Sequence, residues 1–400
     1  MITVFEADKI ISEHLKKYPA VDCALKNAYG KVLREEVRAD RDYPPFNKSL
    51  MDGIAIKKDD YLLGKRNFHI SGIVPAGMAP PALLKLGDCV EIMTGAVVPK
   101  PCDCVIPIED ITLDGKTAVV KNDLPLKDSQ FIRRKGSDVK KHVIVVPSGR
   151  ALNSIHLSTL ASVGKISLKV TYQPKVAIVS TGDEIVPADV SNIAPFHIRQ
   201  SNSLFIESAL NNTHLFETSS FHLKDNKKIL IKQISALLER FDILIFSGGV
   251  SMGKFDYLPE VFKELGIQVL FHKVRQKPGK PLLFGKSKKG QIIFALPGNP
   301  VSTQMATYRY VIHHLKPSLG LASAPESAIL ANDFKHESDF TYFMPVKLQV
   351  SERGQLEALS VNSGGSGDFA GVVDANAFME IPEGMRDIKA GFLGKIFRWN

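Results

Sequence analysis

The chain has 400 residues, 44% hydrophobic and 23% charged, which is typical of a folded protein with two to four domains. Its formal net charge of +9 favours acidic partners, but no basic run is interleaved with aromatic residues, so we expect no nucleic acid partner. No apolar run approaches the length of a membrane span, and the first residues, MITVFEADKIISEHLKK, are acidic and helix-like rather than signal-like. The sequence therefore predicts a cytoplasmic protein that does not bind a membrane.

The first part of the chain predicts a mixed domain that is interrupted by a β-rich insertion. Residues 5–17 carry apolar side chains at helical spacing, and LNSIHLSTLASVG predicts a helix that ends at Gly164. Between these helices, short runs such as VEIMT and VIVV alternate with Pro and Gly. We expect residues 1–43 and 146–173 to form a discontinuous N-terminal domain, and residues 44–145 to form the inserted β-rich domain.

From residue 174 the pattern changes to alternating strands and helices. The runs KVAIVS, DILIF, IQVLF and QIIFAL predict strands, and amphipathic segments between and after them predict helices. This alternation is typical of a parallel α/β sheet, which we expect to span residues 174–321. After it, FMPVKLQV, a turn at residues 351–354 and QLEALSV predict a small C-terminal β domain over residues 322–400.

Four cysteines, Cys23, Cys89, Cys102 and Cys104, are too few for a disulfide framework in a chain of this length. Cys102 and Cys104 form a C-x-C pattern that could begin a metal site, but no second ligand pair stands at zinc-site spacing. We therefore expect small residues at the start of a strand here.

Three loops that follow predicted strands carry unusual residues. They are TGDE at residues 181–184, the Gly248-Gly249 pair after ILIF, and LPGNP at residues 296–300. The carboxyl ends of parallel strands form the ligand crevice of an open sheet, so these loops should converge on one site. Adjacent glycines also allow positive φ and close approach of a ligand to the backbone.

Lysines and carboxylates lie close to these loops in the sequence. Lys273, Lys277 and Lys280 favour a phosphate-like anion, whereas Lys286, Lys288 and Lys289 predict a solvated hairpin tip. The nearby carboxylates would repel an anion unless a divalent cation such as Mg²⁺ bridges them to it. Each one could instead cap a helix or lie in a solvated turn; they are Asp183, Glu184, Asp225 and Asp256.

Several common catalytic motifs are absent from the sequence. It contains neither a P-loop nor a dinucleotide fingerprint, and no G-x-S-x-G nucleophile elbow. His197, in the polar stretch HIRQSN, is better explained as a surface residue than as a catalytic base.

The motifs STGDE, SGGVSMGKFDY, KPGKP and LPGNPVS, in this order, resemble the MoeA/gephyrin family of molybdopterin molybdenumtransferases. The resemblance extends over nearly the full length, through PPFNKSLMDGIAI, IMTGAVVP, IRRKGSDV and SGGSGDFAGVVDANAFMEIPEG. It implies four domains, with a MogA-like α/β domain at the centre. It also implies a homodimer whose active site lies between the α/β domain of one subunit and parts of the other.

The reaction implied by the resemblance takes adenylylated molybdopterin and molybdate, inserts molybdenum at the dithiolene, and releases AMP with Mg²⁺ required. The adenylyltransferase that makes the adenylate and the molybdoenzymes that accept the cofactor are the implied protein partners.

The resemblance also assigns roles to individual residues. Cleft and catalytic positions are matched by Asp52, Thr94, Asp138, Glu184, Asp225 and Asp256, of which Glu184, Asp225 and Asp256 are the implied Mg²⁺ ligands. Molybdate is implied to bind at Lys277, Lys280, Pro281, Ser302 and Ser366, where cations and hydroxyl groups suit an oxyanion. Further substrate contacts are expected at Gly248, Gly249, Ser251, Lys273, Pro297, Gly298, Asn299 and Pro300.

Three positions depart from the family pattern. Asn47 replaces a carboxylate, Ile54 replaces an aromatic residue, and Pro345 stands where many members have an arginine near the molybdate.

Two other functions remain as alternatives. The adenylyltransferase resembles the α/β domain alone and typically has Gly-Gly-Thr-Gly where this chain has Gly-Gly-Val-Ser at residues 248–251. A scaffold that clusters receptors uses the same fold, but with additional linkers and domains.

Overall fold

The computed structural model describes residues 1–81, 87–121, 123–250, 257–322 and 325–399. In chain order, the helices are α1 Val4–His14, α2 Lys58–Leu62, α3 Ser154–Ser162, α4 Asn202–Asn212, α5 Lys227–Leu238, α6 Leu258–Glu264, α7 Pro300–Ala306 and α8 His313–Ser318. A π-helix, Thr307–Ile312, joins α7 to α8. Two 3₁₀ turns are Leu25–Asn27 and Ile108–Asp110. No helix among the described residues is long and apolar enough to cross a membrane.

The strands, in chain order, are β1 Ala20–Ala24, β2 Val37–Arg38, β3 Lys48–Ser49, β4 Gly53–Ile56, β5 Asn67–Val74, β6 Asp88–Ile92, β7 Cys104–Pro107, β8 Ile111–Asp114, β9 Thr117–Val120, β10 Ile132–Arg133, β11 Ile144–Val146, β12 Ser167–Thr171, β13 Lys175–Thr181, β14 Ile185–Val186, β15 Ile198–Arg199, β16 Glu217–Leu223, β17 Ile243–Ser247, β18 Gln268–His272, β19 Gln276–Lys277, β20 Leu283–Lys286, β21 Ile292–Leu296, β22 Glu326–Leu330, β23 Phe334–Lys335, β24 Thr341–Val350, β25 Leu356–Ser360, β26 Ala377–Ile381, β27 Asp387–Ile388 and β28 Leu393–Arg398.

The chain divides into two compact units. The larger unit comprises Met1–Glu35, Ser148–Leu157 and Ser167–Asn400, and the smaller one comprises Glu36–Pro147 and Ser158–Ile166. The larger unit holds the α/β sheet and a C-terminal barrel, and the smaller unit holds the β-rich insertion. The four domain ranges expected from the sequence stay a prediction.

The α/β sheet of the larger unit has the strand order β16-β13-β17-β21-β20-β18. The strands β16, β13, β17 and β21 run parallel, as the alternation of strands and helices predicts. The strands β18 and β20 are antiparallel to their neighbours. The sheet is therefore mixed rather than purely parallel, because the GKSKKG hairpin reverses the chain between β20 and β21.

The buried strands of this sheet place alternate side chains on opposite faces, as the period of two requires. On one face, Ile178, Ile245 and Phe294 pack beneath α1, α4 and the α7–α8 segment. On the other face, Val179 and Phe246 belong to the core that α5 and α6 cover. Both faces are covered by helices, which explains why the strands read as continuous apolar runs.

The helix α1 shows how local sequence sets an element boundary. The Thr3 hydroxyl accepts a hydrogen bond from the Glu6 amide at 3.2 Å, while the Thr3 amide donates to the Glu6 carboxylate at 2.7 Å, which forms a capping box. The helix ends at His14, three residues before the predicted end. Phe5, which the sequence placed in the apolar stripe, is 77% exposed, whereas Val4, Ala7 and Ile11 are buried.

The C-terminal strands close into a barrel. The sheet order is β19-β24-β25-β22-β28-β26, and a further pairing of β24 with β26 closes the ring. The predicted turn lies between β24 and β25, where the Gly354 amide donates to the Ser351 carbonyl at 2.9 Å.

The smaller unit contains a six-stranded sheet in the order β7-β4-β6-β5-β9-β8. Its core includes Ile54, Phe68 and Ile106, all fully buried. Ile54, which replaces the expected aromatic residue, is thus a core residue of β4.

Candidate functional site

A cavity of about 500 Å³ in the larger unit collects most of the residues that the sequence assigned to oxyanion binding. We call it the lysine cavity. Of the predicted residues, those that line it are Lys277, Lys280, Pro281, Pro297, Gly298, Asn299, Ser302 and Ser366. Its described lining contains no Asp or Glu, so its fixed charge is positive. Pro345 lines the same cavity and contributes no charge there.

The walls of the lysine cavity come from three segments that hydrogen bonds hold together. The Asn299 side-chain amide donates to Ser366 Oγ at 2.7 Å, and the Val301 amide donates to the Ser366 carbonyl at 3.1 Å. The segment 363–366 is thereby fixed to the start of α7. Ser302 lies within that helix and is almost fully buried, which leaves its hydroxyl in a sheltered position at the cavity wall.

Lys277 is the last residue of β19, and Lys280 lies on the loop that leads from it to β20. Their side chains are exposed, and the ammonium group of Lys280 lies 5.8 Å from the centre of the Phe340 ring. The loop is closed at its base because the Val274 amide donates to the Lys280 carbonyl at 3.0 Å. An anion in the cavity would thus meet two cations on a short, tethered loop.

A second cavity, of about 260 Å³, lies at the carboxyl ends of the parallel strands. We call it the strand-end cavity. It is lined by Glu184, Gly248 and Pro300, and it shares Gly298 and Asn299 with the lysine cavity. The three loops expected to converge therefore do so, and the two cavities are adjacent parts of one candidate site.

The Gly248-Gly249 turn is required by the packing of the protein itself. The two glycines have φ of +92° and +70°. A Cβ at Gly249 would lie 2.8 Å from Thr181 Oγ1 and 2.9 Å from Leu258 Cδ1. The glycines therefore let the end of β17 pass close to the end of β13, in addition to lining the strand-end cavity at Gly248.

The predicted carboxylates are only partly described. The Glu184 carboxylate lies over Gly182, where a Cβ would be 2.6 Å from Glu184 Oε2. The Asp225 amide is 3.4 Å from Asp183 Oδ1, which brings the ends of β13 and β16 together. Among the described residues no group of three or more His, Cys, Asp or Glu could hold a metal ion. Asp256 and Ser251 lie outside the described residues, so the predicted three-carboxylate set stays a prediction.

Lys273 differs in placement from the other two lysines. It does not belong to the described lining of either cavity. Its backbone has φ of +77°, its amide donates to Leu282 at 2.9 Å, and its carbonyl accepts from Ile2 at 3.1 Å.

Three predicted cleft residues belong to the smaller unit. Asp52 Oδ1 accepts hydrogen bonds from the Thr94 amide at 2.6 Å and from the Thr94 hydroxyl at 2.8 Å, and these bonds lower the pKa of Asp52. Asp138 accepts from Arg133 Nε at 2.6 Å, which lowers the pKa of Asp138. Both residues are exposed. Because each carboxylate accepts hydrogen bonds that lower its pKa, it is ionised at neutral pH and held in one orientation.

The sequence did not single out several residues that line the two cavities. Asn202, at the start of α4, donates to Ser247 Oγ at 2.9 Å and to the Gly298 carbonyl at 2.7 Å, and so joins two of the converging loops. Tyr342 and Phe343, on β24, line the lysine cavity. The polar stretch HIRQSN was a signal for Asn202, but nothing in the pattern of β24 distinguishes these aromatic residues from core residues.

Of the C-x-C pair, Cys104 lies at the start of a strand, as the sequence predicts. All four cysteines are free, and Cys104 begins β7. Burial raises the pKa of the Cys102 and Cys104 thiols to about 12, which disfavours the thiolate that a metal would need.

Three family models match the chain. The MoeA N-terminal region (domain I and II) matches residues 2–164, a probable molybdopterin binding domain matches residues 177–317, and the MoeA C-terminal region (domain IV) matches residues 327–393.

Two relatives are similar over essentially their whole length. A molybdopterin molybdenumtransferase from Synechocystis sp. is 34% identical over 401 residues and covers 100% of both chains. One from Staphylococcus epidermidis is 30% identical over 398 residues and covers 98% of this chain and 94% of the relative.

Solved structures agree with these relatives. Two crystal structures of a molybdopterin biosynthesis MoeA protein from Pyrococcus horikoshii have TM-scores of 0.83 and 0.80, at 27% and 25% identity. They match 100% of this chain and 99% and 100% of their own. With all three family models in order and full-length relatives at this identity, the chain belongs to the MoeA family of molybdopterin molybdenumtransferases.

Proposed function

We propose that this enzyme inserts molybdenum from molybdate into adenylylated molybdopterin and releases AMP, as a late step of molybdenum cofactor biosynthesis. The observation that carries the proposal is the composition of the lysine cavity. Its described lining contains two cations and sheltered hydroxyl groups but no carboxylate. Molybdate is a dianion with four oxygens, and such an anion is best bound by charge-assisted hydrogen bonds.

The adjacent strand-end cavity suits the phosphate end of the pterin adenylate. Backbone at Gly248 and Gly298 and the side chain of Asn202 line it, so a large anionic ligand can approach the main chain there. Because Gly298 and Asn299 border both cavities, one ligand lying across them would hold its dithiolene next to the molybdate. Proximity of this kind is a general source of rate enhancement.

Mg²⁺ fits the edge of the strand-end cavity. Glu184 supplies an exposed carboxylate there, and Mg²⁺ usually takes one or two carboxylates together with waters and substrate phosphate. Glu184 and Asp225 would hold the ion, with Asp256 as the third predicted ligand. When bound, Mg²⁺ neutralises charge on the phosphate of the leaving AMP.

We also propose that the enzyme is a homodimer in which Asp52, Thr94 and Asp138 of one subunit complete the site of the other. The support is that Asp52 is exposed yet held by two hydrogen bonds from Thr94, as an oriented carboxylate for a ligand would be. Four free cysteines suit a reducing cytoplasm. The molybdopterin adenylyltransferase as donor, and molybdoenzymes as acceptors, are the proposed protein partners.

The test is to measure AMP after molybdate is added to adenylylated molybdopterin and Mg²⁺. The transferase should release AMP only when all three are present. The adenylyltransferase alternative predicts instead that the protein makes the adenylate from ATP and molybdopterin, and a scaffold would catalyse neither reaction. Formation of the adenylate without molybdate-dependent AMP release would contradict the proposal.

A further inference from the structure

Gln276 immediately precedes the two-lysine loop and is fully buried although it is polar. Its Nε2 donates a hydrogen bond to the Gly279 carbonyl at 2.8 Å. Its Oε1 accepts a hydrogen bond from the Tyr310 hydroxyl. Both ends of the side-chain amide are therefore used within the protein, and the amide joins the middle of the loop to a distant helix.

The chemistry of the two partners fixes the orientation of the Gln276 amide. The Gly279 carbonyl can only accept, so it must face the NH₂ group. Tyr310 then faces the amide oxygen and must donate its hydroxyl proton. Burial raises the pKa of Tyr310, so that the hydroxyl keeps this proton.

Tyr310 is itself held firmly in place. It is fully buried in the π-helix Thr307–Ile312. Its carbonyl is hydrogen bonded to His314 Nδ1 at 3.1 Å, and its ring is stacked on the His314 ring with an interplanar angle of 3°. Tyr310 therefore anchors Gln276 to the core rather than moving with the loop.

Gly279 stands between the two lysines at the point where the loop turns. It has φ of +86°, and a Cβ there would lie 2.9 Å from Met305 Cε and 3.4 Å from Gln276 Nε2. The ends of the loop are held by backbone pairing, of Gln276 and Lys277 with β24 and of Lys280 with Val274. The Gln276 side chain fixes the turn itself.

We propose that Gln276 and Tyr310 are positioning residues that hold the Lys277–Lys280 turn in the conformation that binds the oxyanion. This inference rests on the proposed molybdate binding at the lysine cavity. Two like charges on a short loop repel each other when no anion is present, so the loop would spread without a restraint. A preorganised pair of cations binds a dianion more tightly because less order has to be imposed on binding.

The test compares Tyr310→Phe, Gln276→Met and the double variant with the unchanged enzyme. Tyr310→Phe breaks the bond between Gln276 and the π-helix, and Gln276→Met breaks the bonds to both Tyr310 and Gly279, so each change disconnects the turn from the core with little change in volume. The half-saturating molybdate concentration should rise about 5- to 30-fold, the loss expected when one buried hydrogen bond is broken. Turnover at saturating molybdate should stay within about twofold, and half-saturation by the adenylate should not change. Tyr310 does not line the cavity, and Gln276, which does, has both ends of its amide bonded within the protein.

The double variant should be no worse than the poorer single variant, since both single changes break the same connection. Thr307→Val is the matched control. Thr307 is equally buried in the same π-helix, but its hydroxyl donates to the Thr303 carbonyl at 2.8 Å and not to the loop. It should leave half-saturation by molybdate unchanged.

Unchanged half-saturation in both single variants would overturn the inference, as would equal weakening for adenylate and molybdate or the same effect in Thr307→Val.

Direct calorimetric titration with molybdate separates this inference from the proposed function. If the unchanged enzyme releases no AMP but binds molybdate, and the variants bind it more weakly, the proposed function falls and the positioning role stands. If the unchanged enzyme does not bind molybdate, both fall. A single variant that fails to fold is replaced by the double variant, which leaves neither an unpaired amide oxygen nor an unpaired hydroxyl group in the core.

Discussion

Lys277 and Lys280 carry positive charge into a cavity whose described lining offers no carboxylate to neutralise it. Their place in an anion site was predicted from the sequence, because each lysine precedes a proline in KPGKP, close to the glycine loops. The role of Gln276 could not be predicted, since a glutamine between an arginine and a lysine looks like any polar loop residue. Its role depends on Tyr310, which is distant in sequence and is recognised only from the fold.

The first prediction concerns Lys280→Ala. Removing one of two cations should weaken half-saturation by molybdate about 5- to 150-fold, the equivalent of roughly 1–3 kcal/mol for a charge-assisted hydrogen bond. Excess molybdate should restore turnover, and steady-state kinetics with each substrate varied in turn will measure this.

Lys288→Ala is the control, because Lys288 is exposed on the hairpin between β20 and β21. It should leave both half-saturation constants unchanged. If excess molybdate does not restore Lys280→Ala, or if adenylate binding falls equally, this loop binds the phosphates instead.

The loops at the carboxyl ends of the parallel strands bring the site residues together. Most of the strands and helices that position these loops could be predicted. The parallel strands β13, β17 and β21 were predicted from continuous apolar runs, whereas β16 was missed because this edge strand reads ETSSFHL and only its last residue is buried. The longer amphipathic helices were predicted from their periodicity, but the short helix α2 was not. The reversed direction of β20 was not recognised either, since a buried strand reads the same in both directions. The π-helix has no periodic signature at all, because its insertion depends on tertiary packing.

The Gly248-Gly249 turn is sensitive to an added side chain. Gly249→Ala should destabilise the fold and reduce AMP release, because its Cβ would press on Thr181 and Leu258. Gly354→Ala is a matched control, since Gly354 has a similar φ of +75° but nothing within 4 Å of its Cβ position. The control should lose only about 1–2 kcal/mol of unfolding free energy, the cost of positive φ, and keep its activity.

Denaturant unfolding and AMP release, measured on both variants, will test this comparison. Equal losses of stability and of activity in the two variants would mean that crowding at the end of β13 has no part in the effect.

The helix α1 is attached to the core through Asp8. Asp8 makes two hydrogen bonds with the buried Arg309, at 2.8 and 2.7 Å, and lies 3.1 Å from His314 Nε2. Burial works to raise the pKa of Asp8, but the hydrogen bonds from His314 and Arg309 outweigh it and hold this pKa well below its usual range. Asp8→Asn should therefore lower the unfolding free energy by on the order of 3 kcal/mol at neutral pH.

The pH dependence of that loss has a definite sign. A depressed carboxyl pKa stabilises the fold above the unfolded pKa of about 4, and this contribution is lost as pH falls towards the folded pKa. The difference between the wild type and Asp8→Asn should thus shrink below about pH 4. Asp22→Asn, which breaks an exposed pair with Lys169, should cost less than about 1 kcal/mol. Equal losses for the two variants in chemical unfolding would contradict the buried network.

For the whole molecule, similarity along the full length supports the family assignment more strongly than any single motif. Two relatives at 34% and 30% identity are covered over 100% and 94% of their own length, so both units of the chain are included in the similarity. Composition and charge could exclude classes of function, but they could not identify a substrate. The sharing of a site between subunits cannot be predicted from local pattern, since it depends on how two chains assemble.

Subunit mixing tests that sharing. Asp52→Ala and Asp256→Ala homodimers should each be inactive, whereas a mixture should recover activity, because each heterodimer contains one site in which both residues are intact. Subunit exchange must be verified with differently tagged chains. With both homodimers inactive, verified exchange without recovery would show that the two residues act within one subunit.

Binding of molybdate in the lysine cavity can be observed by anomalous X-ray scattering from crystals soaked with molybdate, recorded at the molybdenum absorption edge. We expect one strong molybdenum peak between Lys277, Lys280, Ser302 and Ser366, and its loss in crystals of Lys280→Ala soaked at the same concentration. A peak elsewhere, with this cavity free of molybdenum, would show that molybdate does not bind here.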